Sequence, residues 1–165
     1  MDKHDIEALV TELTCDDVIR CQKARRSLVA IGHEAVPFLV EALSSEKEWV
    51  RWEAAKALSQ IGDPAANEPL VRSLEDKEFD VRWLVAEGLI AIGKKAVVPL
   101  LKALIYNPKS IWLREGAHHV LHDMDRGDWD DFLKPVMISL EDFQSPLEVP
   151  LAAKKALDML EHNKY

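Results

Sequence analysis

The sequence predicts an all-α fold, with helical hairpins stacked side by side into a solenoid of about ten helices. Three observations carry this. A seven-residue signature recurs at a spacing of about 31 residues. Each of the first four copies is followed by a second apolar stretch marked by proline near its start and leucine near its end. The composition agrees: 48% of the 165 residues are hydrophobic, 30% are charged and only 6 are glycine, the balance of a helical globular chain.

The elements follow in order. Ile6, Leu9, Val10 and Leu13 share one helical stripe, which predicts an N-terminal cap helix within residues 1–14. In the signature, Val50-Arg51-Trp52 leads to Ala55, Leu58, Ile61 and Gly62. Thirty-one residues later Val81-Arg82-Trp83 leads to Ala86, Leu89, Ile92 and Gly93. Ala24, Leu28, Ile31 and Gly32 form the preceding copy, and Leu113-Arg114 leads to Leu121 and Met124 in the following one. Each copy reads as one helix, the VR helix, stopped by a glycine that accepts the left-handed cap conformation. The partner, or Pro helix, runs from Pro37 to Leu43, Pro69 to Leu74, Pro99 to Leu104 and Pro135 to Leu140. Proline suits a first turn because it has no hydrogen bond to lose there. The repeats therefore span 15–44, 45–75, 76–106 and 107–143. A lone VR-type helix at 146–161, starting at Pro146 and carrying Val149, Ala153, Leu157 and Leu160, closes a single domain over 1–165.

The formal net charge of −8 repels phosphate backbones and argues against a nucleic-acid partner. Cys15 and Cys21, six apart on one helix and its approach, are expected to point away from each other as reduced thiols. Met1 to Asp5 does not resemble a signal peptide, and no apolar run nears the ~20 residues of a membrane span. A cytoplasmic protein with no membrane contact is expected.

The pattern V-R-x-x-A-A-x-A-L-x-x-I-G followed by A-x-x-P-L resembles the short HEAT-like repeats, a class also found in phycobilin lyase subunits. The resemblance covers nearly the whole chain. It implies a right-handed α-solenoid of stacked HEAT-like hairpins and a concave ligand-binding surface beside the V-R pairs. The proline of tetratricopeptide repeats and the T-P-L-H turn of ankyrins are both missing.

Val50, Ala54, Ala57, Leu58 and Ile61 lie on one side of the second VR helix and must be core. Trp49, Trp52, Lys56 and Ser59 lie on another side. The matching positions are Asp80, Trp83 and Glu87, then Trp112, Glu115 and His119, with Phe79 and Leu84 flanking. Stacked helices lie ~10 Å apart, so Trp49, Trp52, Phe79, Trp83 and Trp112 fall on a strip across three repeats. Glu48, Glu53, Asp80, Glu87 and Glu115 are expected to frame it. Either these rings line a groove for a partner, or they fill gaps between repeats. Arg51, Arg82 and Arg114 recur in the first turn of successive VR helices. They are expected to pair with loop acids such as Asp76 or Glu48 and with loop carbonyls, a ladder that fails at Cys21.

Metal chemistry has two weak candidates. Glu115, His118, His119 and His122 cluster within two turns, and His118 and His122 have a metal-capable spacing. The acidic loop Asp123 to Asp131 lacks the EF-hand pattern, with Asp128 at the sixth position and Lys134 at the twelfth. HEAT-like deoxyhypusine hydroxylases hold iron with His-Glu pairs, but the corresponding pairs here are Trp52-Glu53, Trp83-Leu84 and Glu115-Gly116, while His33-Glu34 falls in a turn. No nucleophile elbow or phosphate-binding glycine loop occurs. The expected function is a non-catalytic interaction or scaffold module without a cofactor. Its surface is Trp49, Trp52, Glu53, Lys56, Phe79, Trp83, Leu84, Glu87, Trp112, Glu115 and His119, binding a protein with an apolar ridge and basic flanks. An accessory subunit or chaperone of a bilin lyase is the alternative, and a metal-dependent oxygenase-like protein a third.

Overall fold

The computed structural model describes residues 3–141 and 147–162, and among them only helices and turns occur. In chain order the helices are α1 (Lys3–Glu12), α2 (Val18–Ile31), α3 (Val36–Ala42), α4 (Glu48–Ile61), α5 (Asn67–Ser73), α6 (Phe79–Ile92), α7 (Val97–Tyr106), α8 (Ile111–Asp123), α9 (Asp130–Glu141) and α10 (Glu148–His162). Eight have ten residues or more, and α3 and α5 have seven. No described helix is long and apolar enough to cross a membrane. The expected helix start at Pro146 lies outside the described residues.

Local chemistry sets the ends. Asp17 caps α2 by accepting from the N–H of Ile19 and Arg20, and Ser110 caps α8 by accepting from Leu113 N–H. Gly32, Gly62 and Gly93 stop α2, α4 and α6 at φ of 72°, 64° and 72°. α8 has no such glycine and ends instead at Met124 in extended backbone. A short 3₁₀ turn then precedes each Pro helix: Gly32–Ala35, Pro64–Ala66, Gly93–Ala96 and Gly127–Trp129. Pro37 lies in the first turn of α3. Pro135 corrects the sequence reading. It is inside α9, which begins five residues earlier at Asp130, because the acidic residues Asp130 and Asp131 suit a first helical turn.

The VR helices α2, α4, α6 and α8 stack in one layer, each on the next. Small side chains on their facing sides, Ala24, Ala54, Ala57, Ala86 and Ala117, are at most 2% exposed, so the backbones approach closely. Leu28, Leu58, Leu89 and Leu121, one from each repeat, are wholly buried. The Pro helices cover the other side of this core. Gly116 in α8 allows a close approach: a Cβ there would stand 2.7 Å from Leu74 Cδ2. The last helix departs from the expected stack. α10 packs chiefly against α7 and α9 rather than extending the VR layer. α7 presents Val97, Leu100, Leu101 and Leu104 to the core, and α10 brings Val149, Ala153, Ala156, Leu157 and Leu160 to cover that flank.

Two polar ladders tie the repeats at their ends. On the loop side, Arg51 grips Asp76 bidentately, Nε to Oδ2 at 2.7 Å and Nη2 to Oδ1 at 3.0 Å, while its Nη1 donates to the carbonyls of Ser45 and Glu46. Arg82 Nη1 donates to the Asp76 carbonyl at 2.7 Å and to that of Lys77 at 3.1 Å. Arg114 is buried in the same register. The ladder fails at Cys21 as expected: its Sγ donates to the Cys15 carbonyl at 3.1 Å, six residues back, as Arg51 does to Ser45, but among the described residues it makes no hydrogen bond to the next repeat. On the turn side, His33 Nδ1 meets Asp63 Oδ2 at 2.6 Å, Asn67 Nδ2 donates to the Lys95 carbonyl at 2.8 Å, and Lys94 pairs with Asp128.

Burial alone would raise the Asp76 carboxyl, but the Arg51 guanidinium and the Glu78 N–H hold it below its ordinary value. The Arg51–Asp76 side chains are only 7% and 9% exposed, so removing one partner strands a buried charge. Asp76→Ala should lower stability by about 3 kcal/mol in urea unfolding. Because the folded carboxyl is depressed, this contribution is fully present above the unfolded value of about 3.9 and fades as pH falls through the lower folded value. Wild type should therefore lose stability relative to Asp76→Ala only in that acid range.

Candidate functional site

The first turn of each VR helix leaves one or two apolar side chains uncovered, beside the buried Cys21, Val50, Val81 and Leu113. Val18 and Ile19 of α2, Trp49 of α4, Phe79 of α6, and Ile111 and Trp112 of α8 are between 43% and 66% exposed. Trp83, one turn further along α6, is 48% exposed. The sequence reading named the aromatic members and missed Val18, Ile19 and Ile111. Their signal was register: Val18-Ile19 and Ile111-Trp112 occupy the two positions before the V-R pair, where Glu48-Trp49 and Phe79-Asp80 stand.

The rings gather in two clefts instead of one unbroken strip. Trp49 and Trp52 join Cys15, Asp16, Val18, Cys21 and Glu53 around a cavity of about 240 Å³ between α2 and α4. Phe79, Trp83 and Trp112 join Arg82, Glu115 and His119 around one of about 160 Å³ between α6 and α8. In the second cleft Trp83 stacks on His119, centroids 4.5 Å apart, and lies 6.4 Å from Phe79. The Arg82 guanidinium stands 4.7 Å from the Trp112 ring and 5.8 Å from Phe79, a cation–π bridge between neighbouring repeats.

Three members of the expected surface are placed differently. Glu53 is 7% exposed and pairs with Arg25, itself 8% exposed, so it is a buried strut and not a framing acid. The stacking of α2 on α4 turns it inward, one residue from the exposed side. Leu84 is half-buried against the core. Trp52 is also half-buried there, with Lys56 Nζ 4.4 Å and Arg25 Cζ 5.8 Å from its ring. Glu48, Asp80 and Glu115 are exposed, whereas Glu87 is half-buried and engaged by His119. Lys47 sits over Trp49 at 5.0 Å, so the frame carries both signs of charge.

The histidines of repeat four do not converge with Glu115 on one point. His119 lies between two carboxylates, Nε2 3.2 Å from Glu87 and Nδ1 3.2 Å from Asp123. His122 Nδ1 meets the other Asp123 oxygen at 2.6 Å, and this hydrogen bond holds the Asp123 carboxyl below its usual range. His118 faces Glu141 at 3.8 Å. Among the described residues no group of three or more His, Cys, Asp or Glu is arranged to hold a metal ion. In the acidic loop Asp128 is held by Lys94, Asp130 by Arg126 at 3.0 Å, and Asp125 accepts from Gly127 N–H.

Cys15 and Cys21 overturn another expectation. Their Sγ atoms are 3.4 Å apart, both as free thiols. Cys15 sits in the turn before the Asp17 cap, not on the helix, and that turn folds it back over the first turn of α2.

The Arg25–Glu53 pair carries a prediction. Arg25→Leu alone should destabilise by about 3–5 kcal/mol, because it leaves Glu53 buried without its partner. The double variant Arg25→Leu/Glu53→Leu should recover most of that loss, measured by urea midpoints at fixed slope.

Comparison with known proteins accords with this architecture. A model of HEAT repeats matches residues 6–78. Phycocyanobilin lyase subunit alpha of Picosynechococcus sp. (strain ATCC 27264 / PCC 7002 / PR-6) is 37% identical over 95 residues, 53% of this chain and 35% of that protein. The match thus spans about a third of the relative's length. The crystal structure of an engineered protein superposes with a TM-score of 0.51 at 23% identity, covering 94% of this chain and 78% of that one. A designed armadillo repeat protein aligns at 22% identity and a TM-score of 0.46, over 92% and 80% of the two chains. Residues 6–78 are thus similar to HEAT repeats, and the signature of that stretch continues through the VR helices α6 and α8.

Proposed function

We propose that this protein is a non-catalytic interaction module, which holds a partner protein on the exposed first turns of its four VR helices. The observation that carries the reading is the uncovered apolar ridge Ile19, Trp49, Phe79, Trp83 and Trp112 on successive repeats. A monomer has no folding reason to leave large rings in water on one side of successive repeats, and such clustered rings are the usual anchors of protein interfaces. The clefts beside Trp49 and Trp83 would accept apolar side chains of the partner. Glu115 in the second cleft and the exposed Glu48 and Asp80 of the same first turns, with the net charge of −8, favour a partner with basic flanks. The single-domain division over 1–165 is part of the same reading.

A second reading rests on one observation, the 37% identity to a phycocyanobilin lyase subunit. In it the chain assists a bilin-handling enzyme, and the flat faces of Trp83 and Trp112 would lie against a tetrapyrrole. The tests separate the two. Trp49→Ala/Trp83→Ala should stay folded with the wild-type urea slope and lose only about 1–3 kcal/mol, since about half of each ring is already exposed. It should lose at least about 30-fold in affinity for the partner that wild type captures from native lysate, the loss of a hot-spot contact of about 2 kcal/mol. Equal capture by both proteins rules out the ridge as the binding surface. A change in visible absorbance when phycocyanobilin is added to the purified protein would move the choice to the second reading.

A further inference from the structure

The thiols of Cys15 and Cys21 are already at sulfur–sulfur contact, 3.4 Å apart, while a disulfide needs about 2.05 Å. Closing the gap takes a shift of little more than about 1 Å, shared between the turn before α2 and the first turn of that helix. Cys15 is half-exposed and can be reached from solvent; Cys21 is 5% exposed. Both line the α2–α4 cleft with Val18, Trp49, Trp52 and Glu53. The three carbonyls that Cys21 approaches, those of Cys15 at 3.1 Å, Glu12 at 3.4 Å and Leu13 at 3.7 Å, belong to the last residue of α1 and to the turn after it, which carries Cys15. The sulfur therefore already pins that turn to the helix, by a weak hydrogen bond that a covalent bond can replace.

We infer that Cys15 and Cys21 are a reversible disulfide modification site, closed by a small disulfide such as oxidised glutathione, and that its redox state sets the shape of the α2–α4 cleft. The Cys15 thiolate attacks one sulfur of oxidised glutathione. The glutathione S–S bond breaks, a Cys15–glutathione bond forms, and one glutathione leaves and takes up a proton. Cys21 then gives its proton to solvent and attacks the Cys15 sulfur. The second glutathione leaves and is protonated. Two electrons and two protons have passed from the protein dithiol to oxidised glutathione, giving two reduced glutathiones. Burial, with the Cys15 thiol and the charges of Glu53 and Asp17 adding to it, holds the Cys21 thiol above its ordinary value. The second step needs its thiolate, so the rate of that step rises with pH. On closure Cys21 gives up its donor role, and Asp16 and Val18 on the cleft margin move with the turn.

The pair lines one of the clefts proposed for the partner, but its chemistry is read on the purified protein alone, so the test does not depend on that reading. The purified protein is incubated with defined ratios of oxidised to reduced glutathione at pH about 7 and about 9, quenched in acid, and read by intact mass and alkylation. Wild type should reach a monomeric species lighter by two hydrogen atoms, with both cysteines blocked, faster at the higher pH and reversed by reductant. Cys21→Ala should stop at a stable glutathione adduct on Cys15, and Cys15→Ser should give no closed species. Tryptophan emission should change on closure in wild type and not in Trp49→Phe/Trp52→Phe. Wild type that stays as an adduct on Cys15 at both pH values, or that links only between molecules, overturns the site. Closure with unchanged tryptophan emission overturns its coupling to the cleft.

Discussion

Everything in this molecule depends on the fact that no hairpin can bury its own apolar stripe. Each VR helix is covered on one side by its Pro helix and on the next by the VR helix of the neighbouring repeat. The alanines at the VR–VR contacts make that approach close, and one wholly buried leucine per repeat fills the space behind them. Each such leucine is worth about 1.5–3 kcal/mol of burial, which is complete only when the adjacent repeat is in place. Stability is thus a property of neighbours.

Stacking by apolar contact alone leaves the rotation of one repeat on the next loosely defined. The polar ladders supply that definition. Arg51 reads both its own loop and the next, through two carbonyls and the Asp76 carboxylate, and His33–Asp63 and Asn67–Lys95 do the same at the opposite edge. Arg51 is consumed by this framework, which removes it as a ligand-reading group, whereas Arg82 also lines the α6–α8 cleft. Cys21 keeps the same hydrogen bond with a weaker donor, and in doing so brings a reactive atom against Cys15. A gap in the ladder is the reason a thiol pair exists at that end.

The surface is a by-product of the same geometry. Helices that give one flank to the Pro layer and two to their neighbours retain their first turn for solvent. The rings placed there are not required by the core, since Leu58 and Leu89 already fill it. The cations over them, Lys47, Lys56 and Arg82, keep exposed aromatics soluble and hold them in fixed orientations, so a partner would meet a surface ordered in advance.

The sequence by itself determined the repeat length, the glycine stops at Gly32, Gly62 and Gly93, the core leucines and the exposed side on which Trp49, Trp83 and Trp112 lie. These follow from periodicity and backbone preference, which are written within a few residues of each other. Tertiary structure alone decided that Glu53 turns inward to Arg25, that α10 docks on α7 and α9, that α9 starts before Pro135, and that Cys15 folds back onto Cys21. Each of these depends on how one helix is rotated against another some thirty residues away, or on the path of a short turn. A residue on a helix moves from surface to interior within one step of about 100°, and such a step is settled by packing rather than by local sequence.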